Sequence, residues 1–203
     1  MGRYTGPKHR VSRRFSENLW GTKKSPLATK PYKPGAHGRT GRRKGKASTY
    51  SEGLEAKQRL KYFYQIRERQ LRRFYNEANR MGGNAGENLV QLLERKLDNM
   101  VYRMGFAPTN RAARQLVAHG HIQVNGKKVD RASFVVDVGD VVALAEKSRT
   151  HIQVQESVAG KPSTASYLKV DFDKLTGELI QVPRRKDIPI TINERLVIEF
   201  LGR

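Results

Sequence analysis

With 203 residues, 40 Lys and Arg against 19 Asp and Glu, the chain carries a formal net charge of +21 and has room for one large or two small domains. It has no cysteine, which excludes disulfides, thiolate zinc sites and thiol catalysis. No stretch reaches about 18 consecutive apolar residues and no apolar signal core opens the chain, so a soluble intracellular protein with no membrane partner is expected.

The charge is unevenly placed. Residues 1–80 hold 22 Lys and Arg against five acidic residues, a balance of +17, whereas residues 81–203 hold 18 against 14, a balance of +4. A polyanion is the simplest partner for such a surface, because each cation that neutralises a phosphate releases a condensed counterion. Anionic membrane is the rival, but Met1-Gly2-Arg3-Tyr4-Thr5-Gly6 lacks the Ser or Thr at position six of a myristoylation signal.

Residues 1–45 read as a basic extended arm rich in Gly and Pro, ordered only on its partner and dispensable for folding of the remainder. Arg3, Tyr4, Lys8, Arg10, Arg13, Arg14, Arg43 and Lys44 are its candidate RNA contacts, and Tyr4, Phe15, Trp20 and Tyr32 are aromatics placed to pack or stack. From Ser51 to about Met81 the spacing of Leu60, Phe63, Tyr64, Leu71, Phe74, Tyr75 and Ala78 predicts two helices with a break near Tyr64. Arg59, Lys61, Arg67, Arg69, Arg72 and Arg73 fill most other positions, giving a cationic flank beside an apolar stripe.

After Gly82-Gly83, Asn84 with Glu87 predicts an N-cap and a helix carrying Leu89, Leu93, Leu97, Met100 and Met104 on one face as far as Gly105. Thr109 caps a second helix ending at Gly120, with Arg111, Arg114, Gln115 and His119 pointing outward. The period then changes to two: Ile122 and Val124 lead into an Asn125-Gly126 hairpin, Phe134, Val136 and Val138 alternate, and Val142 and Leu144 follow Gly139-Asp140. Leu168, Val170 and Phe172 alternate, a turn at Thr176-Gly177 follows, and Leu179 to Val182 return, with Asp171 and Asp173 decorating one strand face. A last helix begins near Thr191.

No metal quartet, phosphate-cradling loop, dinucleotide fingerprint or catalytic constellation is present, so no cofactor, metal, small-molecule substrate or enzymatic activity is expected. Instead Arg103, Arg111, Arg114, Gln115, His119, His121, Asn125 and Lys127 occupy helix ends, a helix face and a tight turn, where they can meet phosphates and 2′-hydroxyls of a shaped RNA.

Two runs, Arg95-Lys96-Leu97-Asp98-Asn99-Met100-Val101-Tyr102-Arg103-Met104-Gly105-Phe106 and Ala113-Arg114-Gln115-Leu116-Val117-Ala118-His119-Gly120-His121-Ile122-Gln123-Val124-Asn125-Gly126, resemble the RNA-binding domain of the small-subunit ribosomal protein four family, bacterial and organellar type. The segments Gly2 to Lys8, Gly86 to Leu89 and Ile192 to Phe200 resemble that family's opening, interdomain junction and closing helix, so the likeness covers essentially the whole chain. It implies an α+β fold: the arm, a helical domain from residues 46–93 and about 175–203, and an inserted two-helix plus antiparallel-hairpin RNA-binding domain (alpha-L motif) at 94–174. It also implies a cytoplasmic component of the small subunit that binds a multi-helix junction of the ribosomal RNA and nucleates assembly of the body. Such a protein would act in translational accuracy with a neighbouring ribosomal protein, messenger RNA being a further partner. Some members carry a cysteine zinc knuckle near the N-terminus; this chain does not. The alternative is an RNA-modifying enzyme or RNA chaperone carrying the same module.

Overall fold

The computed structural model describes residues 4–20, 24–39, 48–160 and 164–202. Two compact units divide it: residues 1–86 with 191–203, and residues 87–190.

The first unit is helical. Helix α1 (Lys8–Phe15) buries Val11, and after the left-handed Ser16 (φ 53°) the chain buries Leu19 and Trp20. Tyr4, Phe15, Tyr62 and Phe63 pack around these three, and Trp20 Nε1 donates to Lys8 O at 3.2 Å. The described part of the arm is thus more ordered than its composition predicts, because its apolar residues share a cluster with the aromatic end of the next long helix. A single turn, α2 (Pro26–Thr29), is capped by Ser25.

Helix α3 (Thr49–Phe63) starts at Ser48, whose Oγ accepts from Ser51 N at 3.3 Å. It ends at Tyr64 and a left-handed Gln65 (φ 52°), where the periodicity predicted a break, and α4 (Glu68–Arg80) follows. The closing helix α9 (Glu194–Leu201) packs on α3, starting after Asn193 rather than at Thr191. Gly53 admits Phe200, whose Cδ2 lies 3.0 Å from where a Cβ would stand, and Lys57 Nζ sits 4.7 Å from the centre of that ring.

In the second unit the long helix expected from Asn84 to Gly105 is two helices. Asn84 Oδ1 accepts from Gly86 N to start α5 (Ala85–Glu94), and α6 (Leu97–Arg103) begins after an extended Lys96 (ψ 136°). The break has a tertiary cause: Lys96 forms an isolated antiparallel bridge with Val135, Leu97 N donates to Phe134 O, and Val136 N donates to Arg95 O. Gly105 (φ 79°) ends the hairpin's first helix, and Thr109 Oγ accepts from Ala112 N to start α7 (Asn110–Ala118).

The sheet runs β2-β1-β3-β5-β4, all neighbours antiparallel, from β1 (Ile122–Val124), β2 (Lys127–Lys128), β3 (Val141–Leu144), β4 (Leu168–Asp171) and β5 (Thr176–Leu179). Asn125 (φ 50°) and Gly126 (φ 77°) form the two-residue turn between β1 and β2. Residues 134–138 do not form the expected strand: Val136 is buried, but Phe134 and Val138 face solvent and only Val135 pairs. The tail's turn lies earlier than expected, since Asp171 Oδ1 accepts from Asp173 N and Lys174 N, while Thr176 and Gly177 lie within β5. This strand pairs with β3, and both lie in the compact unit of residues 87–190. The core gathers Leu97, Met100, Met104 and Phe106, then Leu116 and Val117 of α7, then Ile122, Val142, Leu144 and Leu179 of the sheet. The Met pair is core, wholly buried.

Candidate nucleic-acid interface

The cationic flank resolves into one continuous face. On α4, Leu71, Phe74 and Ala78 are buried, which turns Arg69, Arg72, Arg73, Asn76, Asn79 and Arg80 to solvent. Arg69, Arg73, Asn76 and Arg80 follow one another at three- and four-residue steps, a file about 16 Å long at 1.5 Å per residue. None of these six side chains has a hydrogen bond or ion pair among the described residues. Arg67, also exposed, precedes the helix. Asn76, Asn79 and Arg80 were not among the candidates named from sequence; the spacing that identified Arg69 and Arg72 extends to them.

Two other flank candidates are already paired. Arg59 Nη2 lies 2.5 Å from Glu17 Oε2, tying α3 to the arm, and Lys61 shares Glu68 with Lys57, at 3.1 and 2.8 Å. Burial pushes the Glu68 carboxyl up, but hydrogen bonds and charge from Lys57 and Lys61 outweigh it, leaving Glu68 below the ordinary carboxylate value. In the arm, Lys8, Arg10 and Arg14 are exposed and Tyr4 is half-buried. Arg13 is spent on the fold, donating to Tyr32 O at 3.0 Å and Lys33 O at 3.3 Å over the Tyr32 ring. Arg3, Arg43 and Lys44 lie outside the described residues.

In the second unit Gln115, His119 and Lys127 are exposed, as expected of a surface on α7 and the hairpin, and Arg111 is half-buried. Arg114 does not point outward. Its Nη1 donates to Asp98 Oδ2 at 2.9 Å, and Lys96 Nζ lies 3.0 Å from Oδ1 of the same carboxylate; Lys96 and Asp98 are wholly buried. Burial holds the Lys96 ammonium below its ordinary value, with Asp98 opposing that shift. Arg103 is likewise turned in, 2.5 Å from the buried Glu94 Oε1, which also accepts from Tyr167 Oη at 2.8 Å. Burial first, and then the charge of Glu94, push the Tyr167 hydroxyl up. Helical spacing could not reveal these two inward turns, because the carboxylates that attract the guanidiniums sit on other elements. Asn125 also serves the turn, donating to Asp140 Oδ1 at 2.7 Å and accepting from Val141 N at 2.9 Å.

His119 and His121 are joined by His151, which precedes α8 (Ile152–Ala159) and which sequence spacing alone did not connect to them. Ring centres lie 6.1 Å apart for the first pair and 5.7 Å for His121 and His151. His121 Nδ1 and Ser148 Oγ share a hydrogen bond of 2.8 Å, and the Lys128 side chain lies across Gly120. Burial, then His151, His119 and Lys128, lower the His121 pKa below its ordinary value. Among the described residues no group of three or more His, Cys, Asp or Glu could hold a metal ion, and no helix is long and apolar enough to cross a membrane.

Comparison with known proteins gives this surface its family. Residues 3–94 match the ribosomal protein S4/S9 N-terminal domain and residues 95–142 match the S4 domain, the join falling at the break between α5 and α6. The chain is similar to the small ribosomal subunit protein uS4 of Halalkalibacterium halodurans, 46% identical over 203 residues and covering all of both chains. It is similar to the uS4 proteins of Paracoccus denitrificans, 46% identical over 207 residues, and of Listeria monocytogenes, 45% identical over 203, again over the whole of each chain. With both of its domains matched and its full length covered, the chain belongs to the uS4 family of small ribosomal subunit proteins.

Proposed function

We propose that this protein is a primary binder of small-subunit ribosomal RNA. It holds a multi-helix junction, nucleates assembly of the body and, beside a neighbouring ribosomal protein in the cytoplasmic ribosome, contributes to translational accuracy. Messenger RNA is a second polyanion of the same chemistry. No catalytic step is needed for this role.

The observation that carries the reading is the file of unpaired arginines on α4. Unpaired guanidiniums on one rigid face suit a phosphate backbone, which rewards charge and position rather than base sequence. The exposed Gln115, His119 and Lys127 supply a second, weakly charged surface suited to sugar and phosphate groups of folded RNA. Buried pairs such as Arg114 with Asp98 keep that surface rigid.

The test is sedimentation of the tagged chain with small subunits in high salt, with binding to deproteinised small-subunit ribosomal RNA alone. Co-migration and direct RNA binding are expected. A chain that joins the subunit only after other proteins have bound would overturn primary binding.

A further inference from the structure

Within the first unit, α1 and α3 border a cleft of about 530 Å³, which Lys33 and Pro34 also line. That volume falls in the range of about 300–1,000 Å³ typical of small-molecule sites. It suits one nucleotide, not a duplex. Arg10 and Arg14 line it from one face of α1, Glu55 and Tyr62 from one face of α3, and Tyr4 reaches it from the arm. Arg13 holds the backbone of this segment through its bonds to Tyr32 O and Lys33 O.

Glu55 is the anomaly. It is exposed and has no ion pair or hydrogen bond among the described residues, although Arg10, Arg14 and Lys33 line the same cleft. A free carboxylate weakens any site whose only task is to hold phosphate. It becomes useful if it accepts hydrogen bonds from a base. Guanine presents N1–H and N2–H side by side, a pair of donors that the two carboxylate oxygens match in parallel. Adenine and cytosine offer one exocyclic amine beside an acceptor, and uracil one N–H between two carbonyls. Unstacked bases in RNA loops are commonly held against aromatic side chains and read on this edge. Tyr4 and Tyr62 pack edge to face, 5.1 Å between ring centres, and so offer the base a contact from the side rather than a slot between them.

We propose that the cleft takes one unstacked guanosine from a non-helical stretch of RNA, with Glu55 on its N1–H and N2–H edge, Tyr4 and Tyr62 beside the ring, and Arg10, Arg14 and Lys33 toward its phosphates. The proposal rests on the RNA-binding reading above and names one subsite of it.

The test measures fluorescence anisotropy of the full chain with labelled heptauridine and with the same oligomer carrying one central guanosine or inosine, at a single salt concentration. The guanosine probe should bind about tenfold tighter than heptauridine, within the discrimination that one bidentate base contact supplies. Inosine, lacking the N2 amine, should fall between. Glu55→Ala should abolish the preference and retain heptauridine binding. Glu52→Ala is the control and should leave the preference unchanged, since Glu52, one turn earlier, shares with Glu55 the neighbouring hollow beside Phe15 and Leu196 but does not line this cleft. Equal affinity for guanosine and uridine probes, or a preference that survives Glu55→Ala, overturns the proposal and leaves the RNA reading standing. Failure to bind any probe, and small-subunit ribosomal RNA as well, sinks both.

Discussion

Arg114 of α7 donates to Asp98, a carboxylate with no solvent exposure in the first turn of α6, and so ties to α6 the helix that carries Gln115 and His119. Removing one partner of a buried pair leaves an uncompensated charge, at a cost of about 3–5 kcal/mol. Asp98→Ala should lower the free energy of unfolding by an amount of that order, read from urea titration. Arg114→Ala should also destabilise the fold, so its loss of RNA affinity cannot be read as a lost phosphate contact. A variant at Arg114 with unchanged urea stability and weakened RNA binding would refute this assignment.

On α4, Arg69→Ala, Arg73→Ala and Arg80→Ala together should leave thermal stability within about 0.5 kcal/mol per substitution, as surface changes do. Each lost phosphate contact should reduce the slope of log affinity against log salt by roughly 0.7–0.9, so the triple variant should lose about two to three units. An unchanged slope would place this face away from the RNA.

The aromatic cluster of the arm predicts a stability effect directly beneath Tyr4, itself a candidate RNA contact. Trp20→Ala removes a side chain that is 3% exposed and packed with Val11 and Leu19, and should cost about 3–5 kcal/mol. Deleting residues 1–45 should therefore weaken the first unit's unfolding transition as well as RNA binding. Calorimetry showing the truncated chain as stable as the full one would count against the cluster.

A pH effect follows from the three histidines. A group whose folded pKa is depressed contributes stability that is complete above its unfolded value and is lost as the pH falls through the folded one. For His121, facing His119, His151, Lys128 and Ser148, that loss should develop as the pH drops below 6.5. His121→Gln should flatten the stability profile between about pH 7 and 5, measured by urea titration at each pH. An identical slope in the two proteins would exclude His121 as its source.

Gly177 tests packing. It lies in β5 opposite Val142 and Val170, and a Cβ there would come within 2.7 Å of Met104 Sδ. Met104 is wholly buried and must shift to make room. Gly177→Ala should cost about 1–3 kcal/mol, the usual penalty of overpacking, read from the thermal midpoint. A neutral result would mean that the thioether relocates freely.

What could be read before any coordinates was what local chemistry decides. Thr109 as a cap, Gly105 and Gly120 as helix ends, and the Asn125-Gly126 turn all follow from residues within a few positions of one another. The exposed face of α4 was legible for the same reason, through helical spacing alone. What escaped was set by partners distant in sequence. The break after Glu94 answers to Val135, the inward turn of Arg103 and Arg114 answers to Glu94 and Asp98, and α1 owes its place to Tyr62 and Phe63. His151 joined His119 and His121 only through the path of the chain after β3.

The packing of α9 on α3 sets an order of events during synthesis. Helix α3 ends at Phe63 and its partner begins at Glu194, about 130 residues later, which at roughly 5–20 residues per second is on the order of ten seconds of elongation. For most of that interval the arginines of α4 are already made while the helix that completes their unit is not. Nascent chains therefore present a phosphate-seeking face before they possess a finished fold. For a protein that meets RNA, the window in which a wrong polyanion could be captured opens early and closes only once α9 has been made.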